Sequence, residues 1–140
     1  MNDIVIDKVQ GIQRSIERAR EEYRLAGVNF RNDYSHQDAA ILNIIRACEL
    51  TIDLANYVIK TRKIGIPTSS AESFSLLARK QVIPVQLEEK MTSMVGFRNI
   101  AVHEYQKLRL EIIEEIIKTG LDNLLAFSDC IVKEFSQYTQ

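Results

Sequence analysis

The sequence predicts an all-α fold, an up-and-down four-helix bundle with an additional short helix. Three observations carry this reading. Five segments set their apolar residues at steps of three and four, no segment alternates apolar and polar residues as a half-buried strand would, and no repeat of fixed period runs through the chain. The 140 residues, 46% of them hydrophobic, suffice to bury one core. No linker of biased composition interrupts them, so residues 1–140 are expected to form a single helical domain.

The first helix is read from Val5, Val9, Ile12, Ile16, Ala19 and Tyr23, one apolar stripe on a segment whose other faces carry Gln13, Arg14, Glu17, Arg18 and Glu21. It should stop near Gly27. The segment VNFRNDYSHQ then reads as a polar connector, with Ser35 or Asp38 as candidate caps for the second helix. That helix runs from about Asp38 to Lys63 with Ile41, Ile44, Ile45, Cys48, Ile52, Ala55 and Ile59 on its buried side. A polar row, Arg46, Glu49, Asp53, Asn56 and Lys60, occupies another line of the same helix and is either a solvated face or the lining of a cleft.

Gly65 and Pro67 end the second helix, and Ser69 with Glu72 match a capping box that opens a short third helix over about 70–80. Pro84 opens the fourth, where its missing N–H costs nothing. The core line of the fourth helix is Leu87, Met91, Met94 and Val95, and Ala101 and Val102 resume it further on. From about Leu108 a last long helix carries Ile113, Ile117, Leu121, Leu124, Ile131 and Phe135. A second apolar line on it, Ile112, Ile116 and Leu125, exceeds what one face needs. The last helix is therefore expected either to sit centrally or to share a face with another subunit.

A net charge of −1 removes the strong basic excess of a non-specific nucleic-acid binder, so any polyanion site has to be a local patch, doubled by a symmetric copy if need be. Cys48 and Cys130 lie in apolar helical patterns without ligand spacing and read as buried thiols. The N-terminal residues show no secretion signal and no apolar run reaches the length of a membrane span, which leads us to expect a cytoplasmic protein with no membrane partner. There is no Gly-rich phosphate loop, no HExxH, no GxSxG and no pair of Glu-x-x-His motifs; no metal and no cofactor are expected.

One position breaks the pattern. Eleven residues beyond Leu87 is close to a whole number of helical turns, and the residue there is Arg98. A guanidinium on a buried stripe is costly unless it is paired, snorkels to water or lines an interface, and Glu49 and Asp53 are candidate partners. His103 lies about 140° further around the same helix and converges on Arg98 only if the helix ends near Val102. Taken alone, a histidine at a helix end is commonly a cation near the dipole's negative terminus, and Tyr105 a half-buried packing aromatic.

Taken together, Arg98, His103 and Tyr105 form an Arg-x4-His-x-Tyr pattern, with Asn99 next after the arginine and Gly96 preceding Phe97. This stretch, with RACELTIDLAN in the second helix and GIPTSSAESFSLLA leading into the third, resembles the HepT toxins of the HEPN superfamily over nearly the whole chain. The resemblance implies a metal-independent ribonuclease toxin working as a homodimer, with two motifs meeting in a cleft between protomers. It further implies Arg98 and His103 as catalytic residues and Tyr105 as the target of adenylylation by a minimal nucleotidyltransferase antitoxin of the MntA kind. Asn99, Arg46, Glu49 and Asp53 are candidates to line the cleft.

The chemistry of these side chains is compatible with that expectation. RNA carries its own nucleophile in the 2′-OH, so an enzyme need only hold the phosphate and move protons. Arg98 offers a planar fork of donors for the phosphate, and a histidine titrates in the range that proton transfer at neutral pH requires. Lys107 and Arg109, just past the motif, would add positive charge to a shared cleft. The competing reading is a non-catalytic helical module that binds a nucleotide or a protein, in which Arg98 holds a phosphate or merely a structural ion pair.

Overall fold

The computed structural model of the chain describes residues 2–137. Helix α1 covers Asp3–Ala26, capped by Asn2, whose side-chain oxygen accepts from the N–H groups of Ile4 and Val5. Gly27, at φ 57°, takes the left-handed backbone that ends it. The connector Gly27–Asn32 forms a 3₁₀ turn and is less polar than its composition suggests. Phe30 is buried there, packed edge-on against Tyr23 at 4.8 Å, and its carbonyl accepts from Gln37 at 2.7 Å.

Helix α2, Tyr34–Arg62, starts four residues before the expected Asp38. Neither Ser35 nor Asp38 caps it. Asp33 does, accepting from the His36 N–H, and that hydrogen bond holds the Asp33 carboxyl below its ordinary pKa. At the other end Lys63, left-handed at φ 54°, donates to the carbonyls of Ile59 and Lys60, so the helix closes before Gly65. Helix α3, Ser70–Arg79, is capped by Ser69 as expected, but the return half of the box differs. The Glu72 carboxylate accepts from the backbone and hydroxyl of Thr68 rather than from Ser69.

Helix α4, Val85–His103, begins just after Pro84, and helices α5, Leu110–Glu115, and α6, Leu121–Gln137, are joined by a π turn over Ile116–Gly120. The last predicted helix is thus one continuous run with a wide turn inside it. The stretch from Ile113 to Leu121 closes two turns because one of them is π, which brings Ile113, Ile116, Ile117 and Leu121 all inward. Arg20 of α1 donates to the Ile117 carbonyl at 3.0 Å within that turn. The second apolar line is therefore mostly absorbed by the protein's own core: Ile116 is buried and Leu125 half-buried, while Ile112 remains exposed.

Contacts between elements give the topology. Asn2 reaches Tyr57 and Phe30 packs beside Gln37, so α1 and α2 run antiparallel. Arg98 meets Glu49 while Tyr105 meets Asp38, so α4 runs antiparallel to α2. Arg20 pairs with Asp122 near one end and Tyr57 stacks on Phe135 near the other, which sets α6 parallel to α2 and antiparallel to α1. This is the up-and-down order expected, with α3 as the short extra helix. The core runs through all of them, from Ile12 and Ile44 to Phe74, Met91, Leu124 and Ile131.

Candidate functional site

Arg98 does not replace a core residue. The buried line of α4 passes from Leu87, Met91 and Met94 through Phe97 to Ala101, and Arg98 stands at its margin with 28% of its side chain exposed. Val102, expected to rejoin the core, is 44% exposed, one turn beyond Arg98 on the same side. A buried line advancing by three and four has to choose between adjacent positions at each turn. Here it chooses Phe97, which frees Arg98 to reach water.

Of the two candidate partners, Glu49 is the one used. Nε and Nη2 of Arg98 donate to the same Glu49 oxygen at 3.3 and 3.1 Å, and Nη1 donates to the Asn99 side-chain oxygen at 3.1 Å. Arg98 thus joins two of the predicted cleft residues, Glu49 and Asn99. The rest of the polar row is solvent-facing: Arg46, Asp53, Asn56 and Lys60 are exposed. Arg46, Glu49 and Asp53 do, however, border an open depression of about 330 Å³ whose far side carries Arg14 and Arg18 of α1. Below Glu49 lies Cys48, whose thiol burial pushes up to about 12, with the Glu49 charge adding to the effect.

His103 is the last residue of α4, and the helix keeps its geometry up to it. The condition for convergence with Arg98 is therefore not met within one protomer. His103 is exposed and about 140° from Arg98 around the helix. Glu104 then breaks the helix, and Tyr105 begins a 3₁₀ turn over Tyr105–Lys107, so Tyr105 does not return to the Arg98 side by helical geometry. From that turn its hydroxyl reaches Asp38 near the start of α2. Tyr105 is 43% exposed, yet its hydroxyl donates a hydrogen bond to Asp38. Partial burial and the adjacent Asp38 carboxylate both hold the phenol well above its ordinary pKa, that is, protonated.

Sequence reading missed Asp38 in this role, taking it only as a possible cap. The signal was present: Asp38 and Glu49 are eleven residues apart, three turns, and so face the same way along α2 about 16 Å apart. One carboxylate meets the arginine and the other the tyrosine. Lys107 is paired with Glu104 at 3.0 Å, and Arg109 sits 3.8 Å from Glu111, so both basic residues past the motif are partly neutralised by neighbours on their own segment. Among the described residues, no group of three or more His, Cys, Asp or Glu side chains is arranged to hold a metal ion, and no helix is long and apolar enough to cross a membrane.

Comparison with known proteins agrees with the resemblance. The profile of the family described as ribonuclease HepT-like matches residues 12–131. The mRNA nuclease HepT of Shewanella oneidensis is 42% identical over 134 residues, covering 96% of this chain and all of that protein. Among solved structures, the tri-AMPylated Shewanella oneidensis HEPN toxin in complex with MNT antitoxin superposes with a TM-score of 0.90 at 41% identity, over 95% of this chain and 99% of that one. A toxin–antitoxin crystal structure with AMP-PNP gives 0.88 at 41% identity, over 94% and 99%. The cytosolic protein YutE of Bacillus subtilis, at 15% identity and a TM-score of 0.73 over 91% and 90%, shares the fold alone. With 120 residues inside the family profile and a relative of this identity along nearly its full length, the chain belongs to the HepT-like ribonuclease family.

Proposed function

We propose that this chain is the ribonuclease toxin of a two-component system, a single helical domain that cuts RNA without a metal at a cleft shared by two copies. We further propose that it is silenced when an MntA-like nucleotidyltransferase adenylylates Tyr105. The observation that carries this reading is the end of α4. There the Arg-x4-His-x-Tyr residues of a HepT-like chain lie at or near the surface, with Ile100 and Val102 exposed between them. Exposed apolar residues interleaved with catalytic-type polar ones suit a surface that a second copy covers. The relatives named as an mRNA nuclease and as an AMPylated toxin bound to its antitoxin support the substrate class and the partner.

Geometry within one protomer separates Arg98 from His103, and a two-fold axis beside α4 would restore what the single chain lacks. In such a cleft Arg98 binds the scissile phosphate through its fork of N–H donors. One His103 takes the proton of the 2′-OH as the 2′-oxygen attacks phosphorus, and the partner's His103 gives a proton to the departing 5′-oxygen. The products are a 2′,3′-cyclic phosphate and a 5′-OH end. Binding RNA requires the phosphate to compete with Glu49 for the guanidinium. An AMP on Tyr105 places a further phosphate and much bulk beside the motif, where it opposes a polyanion by charge and volume.

Cleavage of total cellular RNA by the unmodified protein in excess EDTA, beside His103→Ala at matched concentration, tests this. Cutting by the wild type that is lost in the variant is the expected result, and a strict divalent-metal requirement would sink the proposal. A second reading has one observation in its favour: Arg98 is already satisfied by Glu49 and Asn99 inside one protomer, as a structural arginine is. In that case the chain is a binding module, neither protein cuts RNA, and the intact mass shows no AMP masking Tyr105.

A further inference from the structure

We propose that Asp38 is the residue that orients Tyr105 for adenylylation and accepts its phenolic proton as the new bond forms. The inference rests on the adenylylation reading above and adds to it a residue of the toxin's own chain. Three features of the structure lead here. Asp38 is not needed as a helix cap, since Asp33 already accepts from the His36 N–H and pairs with the His36 ring. Its carboxylate is bonded instead to a hydroxyl 67 residues away, and among the described residues Asp38 is the hydrogen-bond partner of that hydroxyl. The backbone that carries the tyrosine is also held: Glu104 ends α4, and the N–H groups of Lys107 and Leu108 close the 3₁₀ turn onto the carbonyls of Glu104 and Tyr105. A tyrosine on a hydrogen-bonded turn, aimed by a carboxylate yet nearly half exposed, is presented to an incoming reagent.

A neutral phenol is a weak nucleophile, and both burial and the Asp38 charge keep this one protonated. Its proton therefore has to leave during the attack, and the acceptor already in line is the Asp38 carboxylate. The step balances with a nucleoside triphosphate supplied by the nucleotidyltransferase. The phenolic oxygen bonds to the α-phosphorus, the bond from that phosphorus to the bridging oxygen breaks, pyrophosphate leaves with the electron pair, and the proton passes to Asp38 and then to water. Once esterified, Tyr105 has no hydrogen to donate and carries a negative phosphodiester. The carboxylate that aimed it then repels it, so the modified turn is released from α2.

Among the described residues, no other titratable group on the packed elements is hydrogen-bonded to the Tyr105 hydroxyl. Glu104 and Lys107 pair with one another, and His36 pairs with Asp33 and approaches Glu22 of α1; His103 ends α4 exposed. Asp38 is thus a positioning and proton-accepting residue for the modification, with no part assigned to it in cutting RNA.

The test is the initial rate of AMP incorporation at Tyr105, read by intact mass and peptide mapping. The full-length chain is incubated with its nucleotidyltransferase and magnesium ATP, comparing wild type, Asp38→Asn, Asp38→Ala and Asp38→Glu. The neutral variants should be slowed roughly 100-fold or more, the usual scale of a lost general base, and Asp38→Glu should regain a large part of the rate. The ratio of wild type to Asp38→Asn should also shrink as pH rises from about 6 to about 9, because phenol ionisation then replaces the missing base, and the nucleotidyltransferase's own pH dependence cancels in the ratio. Rates of the neutral variants within about threefold of wild type would overturn the role of Asp38 alone. So would a ratio that does not change with pH, which marks a merely structural contact. A wild-type chain that takes no AMP at Tyr105 overturns the adenylylation reading itself, and this inference with it.

Discussion

Neutralising Glu49 should strengthen the enzyme's hold on RNA. In Glu49→Gln the two donors that Arg98 now spends on one Glu49 oxygen, at 3.1 and 3.3 Å, lose their charged partner, while Nη1 keeps its bond to Asn99. The pair is partly solvated, with 28% of the arginine side chain and 47% of the glutamate side chain exposed, so it belongs with surface ion pairs, worth at most about 1 kcal/mol. A phosphate that no longer displaces this carboxylate gains up to that amount, or about fivefold in affinity. The assay is steady-state cleavage of a short labelled RNA at low and high salt. KM is expected to fall about two- to fivefold at low salt with kcat unchanged, and the difference to fade at high salt as screening removes it. A KM that rises, or a kcat that falls about tenfold or more, would refute the reasoning and make Glu49 a residue that holds Arg98 in its working pose.

Tyr105→Phe should cut RNA about as fast as wild type but escape silencing by the nucleotidyltransferase with ATP; silencing that persists without any AMP added would refute the switch. Phe127→Ala should cost about 3–5 kcal/mol in urea unfolding, because Phe127 is fully buried and meets Phe74 edge-on at 5.3 Å; a loss below about 1 kcal/mol would mean the core closes over the gap. Cys48 has its pKa pushed up from 9.0 to about 12, chiefly by burial, so the unfolded thiol ionises first as pH rises. Its contribution to stability is complete below about pH 9 and declines from there toward about pH 12. Wild type should therefore lose stability more steeply than Cys48→Ala between about pH 9 and about pH 10.5, and parallel slopes in chemical denaturation would count against it.

Most of the helices were legible because helix formation is a local affair. The stripe Val9, Ile12, Ile16 and Ala19, the Ser69 cap and Pro84 ahead of α4 each depend on neighbours three or four residues away. Reading failed where local and tertiary preferences parted. Phe30 looked like part of a polar connector, but Tyr23 and Gln37 enclose it. The π turn at Ile116–Gly120 leaves no mark in the apolar spacing, since Ile113, Ile117 and Leu121 read as an ordinary helical stripe.

An all-α chain of the HepT-like family, with Arg98, His103 and Tyr105 as the residues to watch, can be read from the residues without any coordinates. The company those three keep cannot. Arg98 meets Glu49 across 49 residues of chain, a pairing that comes from the axial register of two antiparallel helices, and Tyr105 meets Asp38 across 67 through the 3₁₀ turn that follows α4. That register is set by how the side chains of Met91, Met94, Phe97 and Ala101 pack in the core, a collective property that no spacing within either helix encodes.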